Sequence, residues 1–184
     1  MNLFRFFWTT HKWVGIGLAV LVVIISSTGF LLLLKRESAW IQPPTMEGAA
    51  GGEAEFISMQ ELFARVWAVE HAAFTTLDDV DRVDFRPGNR VFKVRSQHDF
   101  MEMQVCAVTG DVLSIATRRS DLIESIHDGA FFAKWFRTWI MPLAALGLLF
   151  LTFSGLWIWL APIIRRRRKR RLRAGGGSGA FEDR

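Results

Sequence analysis

The sequence has 184 residues, of which 51% are hydrophobic, and 23 Lys and Arg against 18 Asp and Glu give a formal net charge of +5. A single cysteine excludes a disulfide framework, a cysteine-ligated zinc site and an iron–sulfur cluster. Sixteen phenylalanines and eight tryptophans exclude a disordered chain, and the length fits one small domain with additional segments.

Two long uncharged runs predict transmembrane helices. The first, residues 13–34, would form roughly 33 Å of helix, which is enough to cross a bilayer core. It is longer than the h-region of a signal peptide, about 7–15 residues, so we expect it to stay uncleaved. The second run, residues 138–164, has Pro142 in its first turns and Pro162 at its end, where a proline costs least.

The distribution of charge predicts the orientation. Residues 1–12 carry a net charge of +2 and residues 165–184 a net charge of +7, whereas residues 35–137 contain 12 basic and 16 acidic residues. Because Lys and Arg concentrate on the cytoplasmic side of membrane proteins, both termini are predicted to be cytoplasmic and the middle segment periplasmic, in a bacterial inner membrane. The basic run that follows the second span fits a topology anchor on anionic lipid better than a nucleic-acid site.

The middle segment reads as a small α+β domain. A Pro- and Gly-rich stretch suggests a flexible linker over residues 35–55. Ser58 then looks like a helix N-cap with Glu61 three residues later, and the helical spacing of apolar residues continues over residues 59–74. Four alternating stretches follow, which predict an antiparallel meander with one face buried on the helix: 80–85, 91–95, 101–108 and 112–117.

Ser120, as a second N-cap, predicts an amphipathic helix that leads into the second span. The fold class is therefore a membrane α-helical protein with two transmembrane helices and a small α+β extracytoplasmic domain. The predicted segments are the cytoplasmic N-terminus 1–12, transmembrane helix 13–34, linker 35–55, α+β domain 56–118, amphipathic helix 119–137, transmembrane helix 138–164 and basic cytoplasmic tail 165–184.

Several segments resemble one family. THKWVGIGLAVLVVIISSTGFLLLL, and IHDGAFF followed by PLAALGLLFLTFSGLWIWLAP, resemble the membrane helices of PepSY-associated transmembrane proteins. VCAVTGDVLSI looks like the closing hairpin of a PepSY domain. Larger members have about four spans, and some are inner-membrane reductases that release iron from siderophores and ligate b-type haem through membrane histidines. The resemblance implies that His11 and His127 are haem axial ligands.

The spacing of these two histidines limits how they would bind haem. From His11 to Leu34 is 23 residues, roughly 35 Å of helix, so His11 and His127 lie at opposite membrane faces and cannot share one iron. A homodimer would supply four spans and a histidine pair at each face; alternatively, a partner subunit supplies the missing ligands. Both could instead be ordinary interfacial histidines. Small residues on the spans fit close helix packing: Gly15, Ala19, Ala144, Gly147, Ser154 and Gly155.

The remaining candidates have structural interpretations. His71 and His98 are predicted to be surface residues, Cys106 a small core residue, and Met101 and Met103 packing residues rather than copper ligands. No triad, HExxH, P-loop or dinucleotide motif occurs, so we predict no catalytic residue and no metal beyond haem iron. We expect at most a component of a membrane oxidoreductase, for electron transfer or iron reduction. The alternative is a non-enzymatic, membrane-anchored PepSY binding module or an accessory subunit of a larger membrane complex.

Overall fold

The computed structural model describes residues 3–175, which form two compact units. The span unit comprises residues 3–25 and 132–175, and the middle unit comprises residues 26–131. In chain order the helices and strands are α1 (Leu3–Leu33), α2 (Met59–Trp67), β1 (Val80–Arg86), β2 (Val91–Ser96), β3 (Met101–Cys106), β4 (Val112–Thr117), α3 (Arg119–His127) and α4 (Met141–Gly175).

Helices α1 and α4 are the two membrane-spanning helices that the sequence predicts. Large apolar side chains on their outer faces are exposed within the chain, as lipid-facing residues of a bilayer helix are: Val20, Leu143, Leu146 and Phe153. In the span unit the two helices approach closely at Gly147, where an added Cβ would lie 2.5 Å from Leu18 Cδ1. The rings of Phe7 and Trp157, 6.2 Å apart, extend this contact.

Helix α4 extends further than the predicted span. A π-helical turn, Phe136–Ile140, precedes it, and the Met141 amide donates to the Phe136 carbonyl next to Pro142, which has no N–H to donate. Pro162, which the sequence places at the end of the second span, lies inside the helix instead. Arg, Lys and Leu are good helix formers, so the basic run continues the helix to Gly175. Residues 176–184 of the predicted tail lie outside the described residues.

The middle unit contains the predicted antiparallel meander, with strand order β1-β2-β3-β4. Its core face packs on α2, and the cluster includes Leu62, Val66, Phe74, Val94 and Met103, all of them fully buried. Met101 borders this cluster, which confirms a packing role for both methionines of β3.

The predicted N-cap of α2 is confirmed, because Ser58 Oγ accepts from the Glu61 amide at 3.2 Å. The helix ends at Trp67, however, and not near residue 74. Glu70 has a φ of 54°, which no α-helix accommodates, and the turn around it directs Ala73 and Phe74 into the core.

The opposite face of the sheet is polar, and it is covered rather than exposed. Gln104 donates from Nε2 to the Pro44 carbonyl at 2.8 Å and accepts the Met46 amide at Oε1 at 2.8 Å. The Gly48 amide donates to the Asn89 carbonyl at 2.8 Å. This part of the predicted flexible linker therefore packs on the sheet and is not a free linker. The predicted burial of one sheet face on the helix is confirmed, and the cover on the second face was not predicted. Cys106, also on this face, is buried as predicted.

Helix α3 begins at Arg119, so Ser120 is not its N-cap. Ser120 is instead buried, and its amide donates to the Ile41 carbonyl at 2.7 Å. The predicted continuous helix over 119–137 is also wrong. The α-helix ends at His127, and Gly129, with a φ of 81°, turns the chain away from the helix axis. This break leaves His127 as the last residue of α3.

Candidate functional site

His11 of α1 forms a hydrogen bond within the span unit to Ser154 of α4. The distance from His11 Nδ1 to Ser154 Oγ is 2.8 Å. The serine hydroxyl has only one hydrogen, and it donates this hydrogen to the Phe150 carbonyl of its own helix at 2.6 Å. When the hydroxyl donates to the Phe150 carbonyl, its oxygen accepts from His11 Nδ1, and this is the tautomer that leaves the lone pair on Nε2.

The residue after Ser154 gives the imidazole ring its space. A Cβ at Gly155 would lie 3.3 Å from His11 Cε1, which is closer than a carbon atom normally approaches a ring. Ser154 itself is buried. The pair Ser154-Gly155 thus orients the ring through its hydroxyl and accommodates the ring through its missing side chain.

His127 has the same surroundings in the middle unit. Its Nδ1 lies 3.0 Å from Thr28 Oγ1, and a Cβ at Gly29 would lie 3.2 Å from His127 Cε1. A hydroxyl residue followed by glycine therefore contacts each histidine, Thr28-Gly29 on α1 and Ser154-Gly155 on α4. Each histidine comes from a segment other than the one that carries its hydroxyl–glycine pair.

The two candidate histidines belong to different units. His11 belongs to the span unit and His127 to the middle unit. Each histidine therefore has its own polar partner. Among the described residues, no group of three or more His, Cys, Asp or Glu side chains is arranged to hold a metal ion.

The other two histidines have local roles in the middle unit. His71 is half-buried rather than fully at the surface, and its Nδ1 accepts the Ala73 amide at 3.1 Å. His98 is exposed, as predicted, and its Nε2 lies 3.1 Å from Asp79 Oδ1. Asp79 also accepts hydrogen bonds from the side chain and amide of Thr75 and from Thr76, and these hold the pKa of its carboxyl far below the usual range.

The residues around His11 fit one axial ligand of a haem iron. Haem iron is ligated by a neutral imidazole, and a metal-bound histidine almost always donates its second ring N–H to a nearby acceptor. In the tautomer whose Nδ1–H donates to Ser154, Nε2 of His11 is the nitrogen that can ligate a metal. His127 is also bonded through Nδ1.

Sequence reasoning did not assign Thr28 and Gly29, and it treated Ser154 and Gly155 only as helix-packing residues. The signal that would have found them is the recurrence of a hydroxyl residue followed by glycine inside each aliphatic span. A hydroxyl group inside a lipid-facing helix needs a hydrogen-bond partner. A hydroxyl–glycine pair on each of two spans therefore suggests that each pair contacts a similar partner.

The comparisons with known proteins agree with the predicted resemblance. The family model for the PepSY-associated TM region matches residues 8–180, which include both membrane motifs and both candidate histidines. A comparison with curated proteins gave no match. With nearly all of its length matched, this two-span membrane protein belongs to the PepSY-associated transmembrane family.

Proposed function

We propose that the protein is a b-haem electron-transfer or iron-reduction component of the bacterial inner membrane. The observation that carries this proposal is the hydrogen-bonded pair His11–Ser154, because a histidine that donates from Nδ1 presents Nε2 to a metal. His127–Thr28 repeats the arrangement with a hydroxyl–glycine pair on the other span helix. Bound haem would supply reversible one-electron chemistry.

The chain's own residues would orient the ligands. Ser154 and Thr28 would hold the two imidazoles by Nδ1, which raises the basicity of the ligating nitrogen and prevents rotation of the ring. Gly155 and Gly29 would leave each ring its position beside the helix backbone. The lipid-facing spans would exclude water from the iron, which favours electron transfer over side reactions.

One chain offers one histidine to each haem, so the proposal includes a second source of ligands. In a homodimer, His11 would pair with His11 of the second copy and His127 with its own counterpart, which gives two haems in a bundle of four spans. Alternatively, a membrane partner subunit supplies the other two ligands. Because the 23 residues from His11 to Leu34 correspond to roughly 35 Å of helix, the two haems would lie near opposite membrane faces and form an electron path across the bilayer.

The proposed orientation has both termini in the cytoplasm and the middle unit in the periplasm. It is supported by the net charges of +2 and +7 on residues 1–12 and 165–184, against 12 basic and 16 acidic residues between positions 35 and 137. A fluorescent protein fused to the C-terminus would fold and fluoresce in the cytoplasm. A dark fusion of normal abundance would contradict this orientation.

The test of haem binding is a visible spectrum of the full-length protein purified after expression with added haem precursor. We expect Soret and α bands that sharpen on reduction with dithionite. His11→Ala and His127→Ala should each remove about half of the absorbance, because each removes one of two equivalent ligand pairs. The matched control is His98→Ala, which removes an exposed histidine of the middle unit. A spectrum without haem bands, or equal loss in all three variants, would contradict the proposal.

A second candidate function is a membrane-anchored PepSY binding module or an accessory subunit. The observation that favours it is that each membrane-motif histidine has a hydroxyl partner within this chain, Ser154 or Thr28. Purification from native membranes after mild cross-linking separates the candidates. A stoichiometric partner together with a haem-free spectrum supports the second candidate, and a haem-bearing dimer supports the first.

A further inference from the structure

A pocket of about 370 Å³ in the middle unit is lined by five cationic side chains and, among the described residues, by no carboxylate. The five cations are Lys35, Arg36, Arg86, Lys93 and Arg118. The segment that contains them is acidic overall, with 12 basic and 16 acidic residues over positions 35–137. The fold therefore gathers cations from four separate stretches of sequence into one concave site.

The inner wall of the pocket is fixed by ion pairs. The side chains of Lys93 and Arg118 are only 3% and 9% exposed, and both pair with Glu102, at 3.3 and 2.9 Å. Arg118 also pairs with Asp121 at 2.7 Å and donates to Gln42 Oε1 at 3.0 Å. Two charged donors are thus held in place at the bottom of the site before any ligand arrives, which lowers the entropic cost of binding.

This inner network is close to electrically neutral. Arg95, which does not line the pocket, contributes a third cation and pairs with Asp84 at 2.8 Å and with Asp121 at 3.5 Å. Three cations, Lys93, Arg95 and Arg118, therefore face three carboxylates, Asp84, Glu102 and Asp121. The charge that a ligand would meet comes from the rim.

Lys35, Arg36 and Arg86 form the rim and add three positive charges. No ion pair joins any of the three to a carboxylate within the part of the chain that the structure describes. Arg36 and Arg86 are exposed, so their guanidinium groups can turn towards a bound group. Burial lowers the pKa of the Lys93 ammonium, and repulsion from the positive charges of Arg118 and Arg86 lowers it further, although the Glu102 carboxylate opposes this shift. An anion in the pocket would relieve the repulsion between these cations.

We propose that this pocket binds an anionic phosphate group. The three rim cations have no carboxylate partner among the described residues, and a ligand with a single carboxylate would neutralise only one of their charges. Guanidinium and ammonium groups are the side-chain groups that bind phosphate best. The phosphate has two possible sources. Lys35 follows the end of α1 by two residues, so a lipid headgroup is one source, and a soluble phosphate compound is the other. This binding is independent of haem.

The experiment uses the full-length protein in nanodiscs of phosphatidylcholine, with or without phosphatidylglycerol. Titration calorimetry with inorganic phosphate measures the soluble source, and native mass spectrometry of retained phosphatidylglycerol measures the lipid source. The test variant is Arg86→Gln. The matched control is Arg82→Gln, because Arg82 lies on the same face of β1 but does not line the pocket. Protection of Cys106 from thiol reagents shows that both variants are folded.

Phosphate binding that weakens about tenfold in Arg86→Gln and stays unchanged in Arg82→Gln supports the soluble source. Retention of phosphatidylglycerol that Arg86→Gln abolishes and Arg82→Gln preserves supports the lipid source. Arg36→Gln should reproduce the effect of Arg86→Gln in either case. Absence of both kinds of binding, or equal binding in all variants, would overturn the proposal.

Discussion

The carboxylate of Glu102 is the centre of the buried ionic network, and replacing it with glutamine should destabilise the middle unit strongly. Its side chain is fully buried. It pairs with Lys93 at 3.3 Å and with Arg118 at 2.9 Å, and it accepts from Gln104 Nε2 at 3.0 Å. Glu102→Gln keeps the shape of the side chain but removes the negative charge between two buried cations.

The magnitude follows from the burial of the partners. Lys93 and Arg118 are 3% and 9% exposed, so water cannot replace the lost carboxylate. Removing one partner of a buried ion pair costs about 3–5 kcal/mol, because it leaves an uncompensated buried charge. At 1.4 kcal/mol for each factor of ten, the open population of the middle unit should rise by about two to four orders of magnitude.

Cys106 provides the assay, since it is the only cysteine and is 1% exposed on the same sheet face. Burial alone would raise the pKa of its thiol, but hydrogen bonds from Thr109 and from the amides of Val108 and Ala49 bring that pKa below its usual value. Slow labelling of the native protein therefore reflects burial rather than an unreactive sulfur. The labelling rate with a maleimide, measured on the full chain in nanodiscs, reports the open population.

The control for this prediction is Glu61→Gln, which removes an exposed pair with Arg65, 3.3 Å long, on the surface of α2. Exposed pairs contribute about 0.3–0.5 kcal/mol, so the labelling rate should change by no more than about twofold. If Glu102→Gln labelled within threefold of the wild type, the network would not stabilise the fold as argued.

Three further predictions concern acid stability, span packing and helix capping. Hydrogen bonds from Thr75 and Thr76 lower the pKa of Asp79, so the stability they add is present above the ordinary aspartate pKa of about 3.9 and is lost as the pH falls towards the lowered value. The rate of Cys106 labelling with a disulfide reagent should therefore rise as the pH falls below about 3.9, and this rise should be smaller in Asp79→Asn. An equal rise in the variant would refute the prediction. Gly147→Ala would place a Cβ 2.5 Å from Leu18 Cδ1, so it should lower the stability of the span unit by about 1 kcal/mol, measured by thermal unfolding in detergent. In the control Gly17→Ala the added Cβ meets nothing within 4 Å, so this variant should not lose stability. Equal melting temperatures of the two variants would contradict this prediction. Ser58→Ala removes the N-cap of α2 and should cost about 1 kcal/mol, or a fivefold increase in Cys106 labelling, and no increase would count against the cap.

The span helices and the meander were predictable because their signals are local. Uncharged runs, alternating strands and the Ser58 cap depend on neighbours a few residues away. The ends of α2 and α3 were not predictable in the same way. Glu70 and Gly129 adopt positive φ, and the turn at Glu70 serves packing of Phe74 against residues far along the chain.

The cover on the polar face of the sheet was not predictable for a related reason. In β2 and β3, Lys93, Arg95, Glu102 and Gln104 alternate with apolar residues, which is the pattern of a strand with one face in water. Their burial depends on residues 41–49, which were predicted to be a flexible linker. A segment that covers a sheet face from far away in the sequence leaves no mark in the spacing of apolar residues. Neither the ionic network nor the cationic pocket was therefore predicted.

The candidate histidines came from resemblance, and their partners came only from the structure. His11 and Ser154 are 143 residues apart in sequence, and His127 and Thr28 are 99 residues apart. Which hydroxyl meets which histidine depends on how segments distant in sequence come together within each unit. That arrangement follows from close contacts such as Gly155 beside His11, and not from hydropathy.

Native mass spectrometry of the full-length protein, released from detergent after expression with added haem precursor, tests the proposed haem-bearing dimer most directly. We predict a complex of two chains and two haems. A dimer in which both chains carry His11→Ala, or both carry His127→Ala, should retain only one haem. A haem-free monomer or a haem-free dimer, from a preparation in which Cys106 is protected, would contradict the proposed function.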